Sequence, residues 1–307
     1  MNIADRLKGA FTALVTPFDA DDNVDVTALK RIVNKQLEQG ISGLVPCGTT
    51  GETPCLSADE QETVVRTAVE LVDGKVPVIA GTGSNSTKVT IEQTNRAKAW
   101  GIDAALVVCP YYNKPTQEGL FQHFKAVWEA CGVPVVLYNV PGRTVSDIQP
   151  DTLARLVEIG AIVAIKDATA NLQRAAEQIT ATGGKLALLS GDDFTILPFV
   201  ATGGQGVISV VSNIAPRDTV RLVAASAEGD LAAARPLNGR IVELSKSLFL
   251  QSNPIPIKAM VAMAGFCHPR VRSPLVTADE ALMKKLRVAL DTYRGATDDA
   301  SLEGFMA

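Results

Sequence analysis

The chain has 307 residues, of which 47% are hydrophobic and 20% charged, with a formal net charge of -4. That is enough apolar material for a large core, and a barrel of about 250 residues can form a single domain. The negative balance and the lack of any Lys/Arg-rich run argue against a nucleic-acid binder, and no apolar run approaches the roughly 18 residues that would suggest a membrane span.

Met1 to Ala10 has no apolar h-region, so no signal peptide is expected. Short β-like runs then alternate with amphipathic helical stretches. The runs are Phe11–Thr16, Gly43–Pro46, Val76–Gly81, Ala104–Cys109, Val135–Asn139, Ile162–Lys166, Leu186–Ser190 and Gly206–Val210. They are rich in Val, Ile and Leu without clean alternation, as strands buried on both faces are. The gaps are long enough for parallel crossovers. The first helix is expected to start at Thr27 and stop at Gly40, with Leu29, Ile32, Val33 and Leu37 on one face. Ser57-Ala58-Asp59-Glu60 reads as a capping box. Ser86 or Thr87 can cap the next helix, and Thr116 the one bearing Leu120, Phe121, Phe124 and Trp128. Pro216 stands where the eighth helix should begin.

Eight β-then-α units predict an α/β fold, a (β/α)8 TIM barrel over residues 1–228. An open doubly wound sheet would want a phosphate loop after the first strand, and Thr16-Pro17-Phe18 is not one. Residues 229–307 read as a C-terminal helical region, helical from about Glu228 to Arg294 with a frayed polar tail.

Five irregularly spaced cysteines (Cys47, Cys55, Cys109, Cys131 and Cys267) fit neither a disulfide framework nor a CxxC motif and point to reduced thiols in a cytoplasm. His123 and His268 are far apart, so no metal site built on paired histidines is expected, and His123 reads as a helix-surface or packing residue.

The run Ala161-Ile162-Val163-Ala164-Ile165-Lys166-Asp167 puts a lysine at the end of a buried strand. Burial penalises the ammonium, and a neutral amine can form a Schiff base with a carbonyl. The plain alternative is a lysine that reaches water or pairs with Asp167. Active sites of such barrels lie at the C-terminal strand ends, and this chain puts its unusual residues there. Gly48-Thr49-Thr50-Gly51 offers hydroxyls and backbone N–H groups suited to a small carboxylate, or is a glycine turn with capping threonines. Tyr138 should aim its phenol into the barrel mouth, where a threonine partner would make a proton relay. Arg143, in a Pro-Gly turn, suits a carboxylate or a surface ion pair. Gly81-Thr82-Gly83 lacks the third glycine and the acidic residue of a dinucleotide fingerprint.

On these motifs, together with Leu14-Val15-Thr16-Pro17, Pro110-Tyr111-Tyr112-Asn113, Tyr138 to Thr144, Ser190-Gly191-Asp192-Asp193 and Asn253-Pro254-Ile255-Pro256-Ile257, the sequence resembles the dihydrodipicolinate synthase family over nearly its whole length. That family belongs with the pyruvate-dependent class I aldolases, which include N-acetylneuraminate lyase. The resemblance implies condensation of pyruvate with L-aspartate 4-semialdehyde, giving 4-hydroxy-tetrahydrodipicolinate for lysine and diaminopimelate synthesis. It implies Lys166 as the Schiff-base lysine, and Tyr138, Thr49 and Tyr112 as a proton relay, with Tyr112 supplied by a neighbouring subunit. Thr50 would contact the pyruvate carboxylate, Arg143 the carboxylate of the aldehyde substrate, and Gly191 and Ile208 would line the pocket. No cofactor or metal is implied, and a homotetramer of tight dimers is. The paired threonines with Arg143 favour the synthase over its relatives; another aldolase of the superfamily and a non-catalytic sensor are the alternatives. One region departs. At the site where many bacterial members bind inhibitory lysine, Val89 stands for the glutamate and Ala58 and Gln61 for two histidines, although Asn85 and Tyr111 remain. Weak or absent inhibition by lysine is expected, since a cation has lost its carboxylate partner.

Overall fold

The computed structural model describes residues 3–297. Its centre is a ring of eight parallel strands: β1 (Gly9–Ala13), β2 (Gly43–Val45), β3 (Ile79–Gly81), β4 (Ala104–Val108), β5 (Val135–Asn139), β6 (Ala164–Asp167), β7 (Ala187–Ser190) and β8 (Gly206–Ser209). Each strand pairs with its sequence neighbour, and β8 pairs with β1, Phe11 lying opposite Ile208. A parallel bridge from Leu44 to Val78, with the Leu44 N–H donating to the Pro77 carbonyl at 3.0 Å, closes the ring between β2 and β3. The chain is therefore a closed (β/α)8 barrel and not an open sheet.

Burial follows the two-residue period of a strand. Val136 and Tyr138 of β5, Ala164 of β6, Leu189 of β7 and Ile208 of β8 share an inner cluster with Phe11, Val45, Ile79 and Leu106. Their neighbours Val135, Leu137, Ile165 and Leu188 pack outward with helix residues Leu120, Phe124, Leu153 and Leu156. Both faces are apolar, which is why the sequence shows continuous hydrophobic runs. Lys166 is two residues beyond Ala164, so the same period turns it inward.

Several ends differ from expectation. The first strand stops at Ala13, because the Val15 N–H goes instead to the Asn213 side chain at 3.1 Å. The third begins at Ile79, since the Val78 N–H is taken by the Asp103 carboxylate at 2.8 Å. The first long helix, Val26–Glu38, is capped by Asp25 through the Ala28 N–H at 2.8 Å, one turn residue earlier than the Thr27 start. Ser57 and Glu60 form the expected reciprocal box, Ser86 and Thr116 cap their helices, and Pro216 opens the helix Pro216–Glu228.

Beyond residue 228 the chain forms the helices Leu231–Leu248, Ile255–Met263 and Glu280–Gly295. Leu237, Ile241, Ile257, Met260 and Leu286 join one core with barrel residues such as Leu44, Ile196 and Leu222. The polar tail expected to fray lies largely outside the described residues. His123 is a packing residue: it is 4% exposed, its Nδ1 lies 2.9 Å from the Thr87 hydroxyl, and burial pushes its pKa down to about 4. Among the described residues, no helix is long and apolar enough to cross a membrane.

Candidate active site

At the C-terminal end of the strands lies a cavity of about 250 Å³, lined in part by Thr49, Tyr111, Tyr138, Val140 and Arg143. Register brings its chemistry together. Tyr138 of β5 lies directly opposite Lys166 of β6, and both point inward. The Lys166 ammonium nitrogen sits 4.4 Å from the centroid of the Tyr138 ring. Lys166 is 6% exposed. Its pKa is lowered to about 8: burial is the main cause, the Asp193 charge opposes the fall, and the Arg143 charge adds to it. The amine is thus partly neutral near pH 7, the state that attacks a carbonyl. It does not pair with Asp167. That carboxylate points to the opposite face, accepting from the Thr169 N–H at 2.8 Å, the Thr169 hydroxyl at 2.5 Å and the Gln178 amide at 2.6 Å.

The Tyr138 phenol is buried, which raises its pKa; the Arg143 charge and a side-chain hydrogen bond with Thr49 oppose that rise. A phenol bonded to a hydroxyl can pass a proton. Thr50, next in the chain to Thr49, is buried, its hydroxyl accepting from the Asn253 amide at 2.9 Å. Arg143 is exposed on the short helix Pro141–Thr144 and donates to the Asn253 carbonyl at 3.4 Å. Gly191 packs on the Lys166 stem: a Cβ there would meet Ala168 Cβ at 2.7 Å and Lys166 Cε at 3.1 Å. Ile208 forms part of the inner wall. Tyr112 is not brought in. It stands 87% exposed, at φ 73°, outside this chain's own cavity.

Gly81 and Gly83, which superficially suggest a nucleotide loop, are required by packing. A Cβ at Gly81 would strike the Cys47 carbonyl oxygen at 2.0 Å, and one at Gly83 the Val108 nitrogen at 2.4 Å. The Cys47 thiol, pushed up to about 12 by burial, stays protonated and is no nucleophile. Among the described residues, no group of three or more His, Cys, Asp or Glu side chains is placed to hold a metal ion.

The model of the dihydrodipicolinate synthetase family matches residues 6–293. The chain belongs to this family. It is 50% identical to the 4-hydroxy-tetrahydrodipicolinate synthase of Anaeromyxobacter sp. (strain Fw109-5), over 94% of this chain and 98% of that one. It is 49% identical to the enzyme of the same name from Geobacter sp. (strain M21), over 94% and 99%. The structure of the chloride-inhibited dihydrodipicolinate synthase from Acinetobacter baumannii, complexed with pyruvate, superposes with a TM-score of 0.92 at 44% identity, covering 94% of this chain and 99% of that one.

Two residues of this family member's site carry weight that sequence reasoning did not assign. Asp193 is buried; its Oδ2 accepts the Val210 and Val211 N–H groups at 2.9 Å each, while its Oδ1 has no hydrogen-bond partner. It was visible only as the second acid of Asp192-Asp193 after a strand. Asn253 bridges Thr50 and Arg143 from the far end of the chain, a contact of sequence separation 203 that no local pattern reveals.

Proposed function

We propose that this chain is a 4-hydroxy-tetrahydrodipicolinate synthase, condensing pyruvate with L-aspartate 4-semialdehyde. The observation that carries the reading is Lys166: a buried amine with a pKa near 8, packed on the Tyr138 ring in the barrel mouth. Membership of the family, the names of the relatives and the pyruvate complex of a structural neighbour support this choice of substrates. Lys166 attacks the ketone carbon of pyruvate, and water leaves to give an iminium. The methyl group, now acidic, loses a proton to give an enamine, whose carbon bonds to the aldehyde carbon of the second substrate. The amine of that substrate closes onto the former ketone carbon and expels Lys166, restoring the free enzyme.

Tyr138 moves protons through Thr49 and, from a neighbouring subunit, Tyr112. The exposure and positive φ of Tyr112 suit a side chain held by a partner copy. Thr50 takes the pyruvate carboxylate, Arg143 that of the aldehyde, and Gly191 and Ile208 shape the pocket. The covalent bond to Lys166 needs no organic cofactor or metal. We take the barrel, residues 1–228, as the catalytic unit and 229–307 as its helical support, in a cytoplasmic homotetramer of tight dimers. Borohydride should trap pyruvate on the wild-type chain and not on Lys166→Ala. Pyruvate-dependent consumption of aspartate semialdehyde, against a panel of other aldehydes, identifies the second substrate. A chain that traps pyruvate but prefers another aldehyde is an aldolase of a different specificity.

A further inference from the structure

The residue Glu52 ends the Gly48–Glu52 loop, two positions after Thr50, and lies in the left-handed region at φ 56°. Its carboxylate is buried and turned away from the cavity toward the C-terminal region. There Lys258, fully buried on the helix Ile255–Met263, places Nζ 2.6 Å from Glu52 Oε1. The Arg272 N–H donates to Glu52 Oε2 at 2.8 Å. The Lys258 ammonium also lies 3.8 Å from the centroid of Phe18, just beyond β1. The loop itself turns on the Glu52 N–H, which donates to the Thr49 carbonyl at 3.1 Å. Holding the Glu52 carboxylate therefore holds the backbone of Thr49.

A buried ion pair is a poor way to gain stability, since its desolvation cost rivals its attraction. An apolar pair would fill the same space. What the pair adds is direction: an αL glutamate at the end of a catalytic loop is fixed from a helix 206 residues away. Asn253, at the approach to the same helix, fixes Thr50. We infer that Lys258 is a positioning residue: through Glu52 it sets the Thr49-Thr50 loop, so that Thr49 meets the Tyr138 phenol and Thr50 meets the pyruvate carboxylate. The inference rests on the proposed reaction.

The test removes both charges while keeping the volume, in Glu52→Gln/Lys258→Met. Trapping of pyruvate by borohydride at saturating concentration should persist, because Lys166 is untouched. KM for pyruvate should rise about tenfold or more. Thr50→Val, costly in the wild-type chain, should cost less than threefold further in the double variant. Glu52→Gln alone, which keeps an acceptor for Lys258, should raise KM by about threefold and provides the reading should the double variant not fold. Lys258→Arg, which keeps the charge, should recover most of the affinity. An unchanged pyruvate KM in the folded variants, or a Thr50→Val penalty undiminished beside them, overturns the positioning role. Failure of the wild-type chain to trap pyruvate would instead overturn the reaction, and leave the two outcomes distinct.

Discussion

Replacing Asp193 by asparagine should move the acid limb of the kcat/KM profile for pyruvate to lower pH. The sign follows from charge. The Asp193 carboxylate favours the Lys166 ammonium and raises its pKa against burial. Removing the carboxylate disfavours the ammonium, so the pKa falls below about 8 and more amine is neutral at a given pH. The net fall from 10.5 to about 8, led by burial, raises the neutral fraction at pH 7 by about 300-fold, or ~3 kcal/mol. A nearby opposite charge is worth about one to three pKa steps, and the lower end applies here because Asp193 also accepts two backbone N–H groups. A midpoint moved down by about one makes kcat/KM at pH 6.5 rise by about eightfold relative to its own high-pH plateau. Asparagine can keep one oxygen on the Val210 and Val211 N–H groups, so the backbone need not move. The assay is the coupled reductase reaction at limiting pyruvate across pH 5.5–9.5, a window spanning both Asp193, raised to about 6, and Lys166. An acid limb that stays in place or moves to higher pH would refute the electrostatic account.

Three further outcomes are expected. Gly191→Ala should slow borohydride trapping by about 10- to 100-fold without unfolding the chain, because its Cβ needs space held by Lys166 Cε, and a displacement of about 1 Å at a reacting group can cost that much. Asn213→Ala should lower stability by about 2–5 kcal/mol in urea unfolding, since it strands the Val15 N–H and the Ala13 carbonyl, both bonded to the Asn213 side chain, at the β8–β1 seam. L-Lysine at sub-millimolar concentration should leave activity nearly unchanged: Val89 offers no carboxylate, and the Gln61 amide already faces the Thr53 and Leu56 carbonyls at 3.5 and 3.4 Å. Half-inhibition in that range would show a cation partner elsewhere in the cleft.

The barrel was legible because its strands are apolar on both faces and separated by capped helices. Strand ends were not, because side chains far along the chain take the next backbone groups, as Asn213 does for Val15. At the site, the strand-end positions of Tyr138 and Lys166 marked both residues, and the ladder sets them opposite each other. Asp193 escaped because an acid after a strand looks like an ordinary turn residue. Asn253 and Lys258 escaped because their partners lie more than 200 residues away. Tyr112 is a different case: its place in a relay depends on a second copy of the chain.

Two buried lysines make the division of labour clear. Lys258 and Lys166 both sit almost out of water, and both lose free energy as bare ammonium ions. Burial lowers the Lys258 pKa too, but the Glu52 carboxylate at 2.6 Å opposes that fall and engages the ammonium directly, so the residue serves as a strut. Lys166 has Asp193 only as a nearby charge, a phenol ring against its nitrogen, and Arg143 pushing the other way. Burial prevails there, and the pKa falls to about 8. A carboxylate placed in direct contact with Lys166 would raise its pKa and withhold its lone pair, whereas Asp193, acting only as a nearby charge and itself tied to backbone N–H groups, leaves the pKa at about 8 and part of the amine neutral near pH 7. On the proposed reaction, the same residue type serves as nucleophile and as tether according to whether an acid touches it, as Glu52 touches Lys258, or acts only as a nearby charge, as Asp193 does on Lys166.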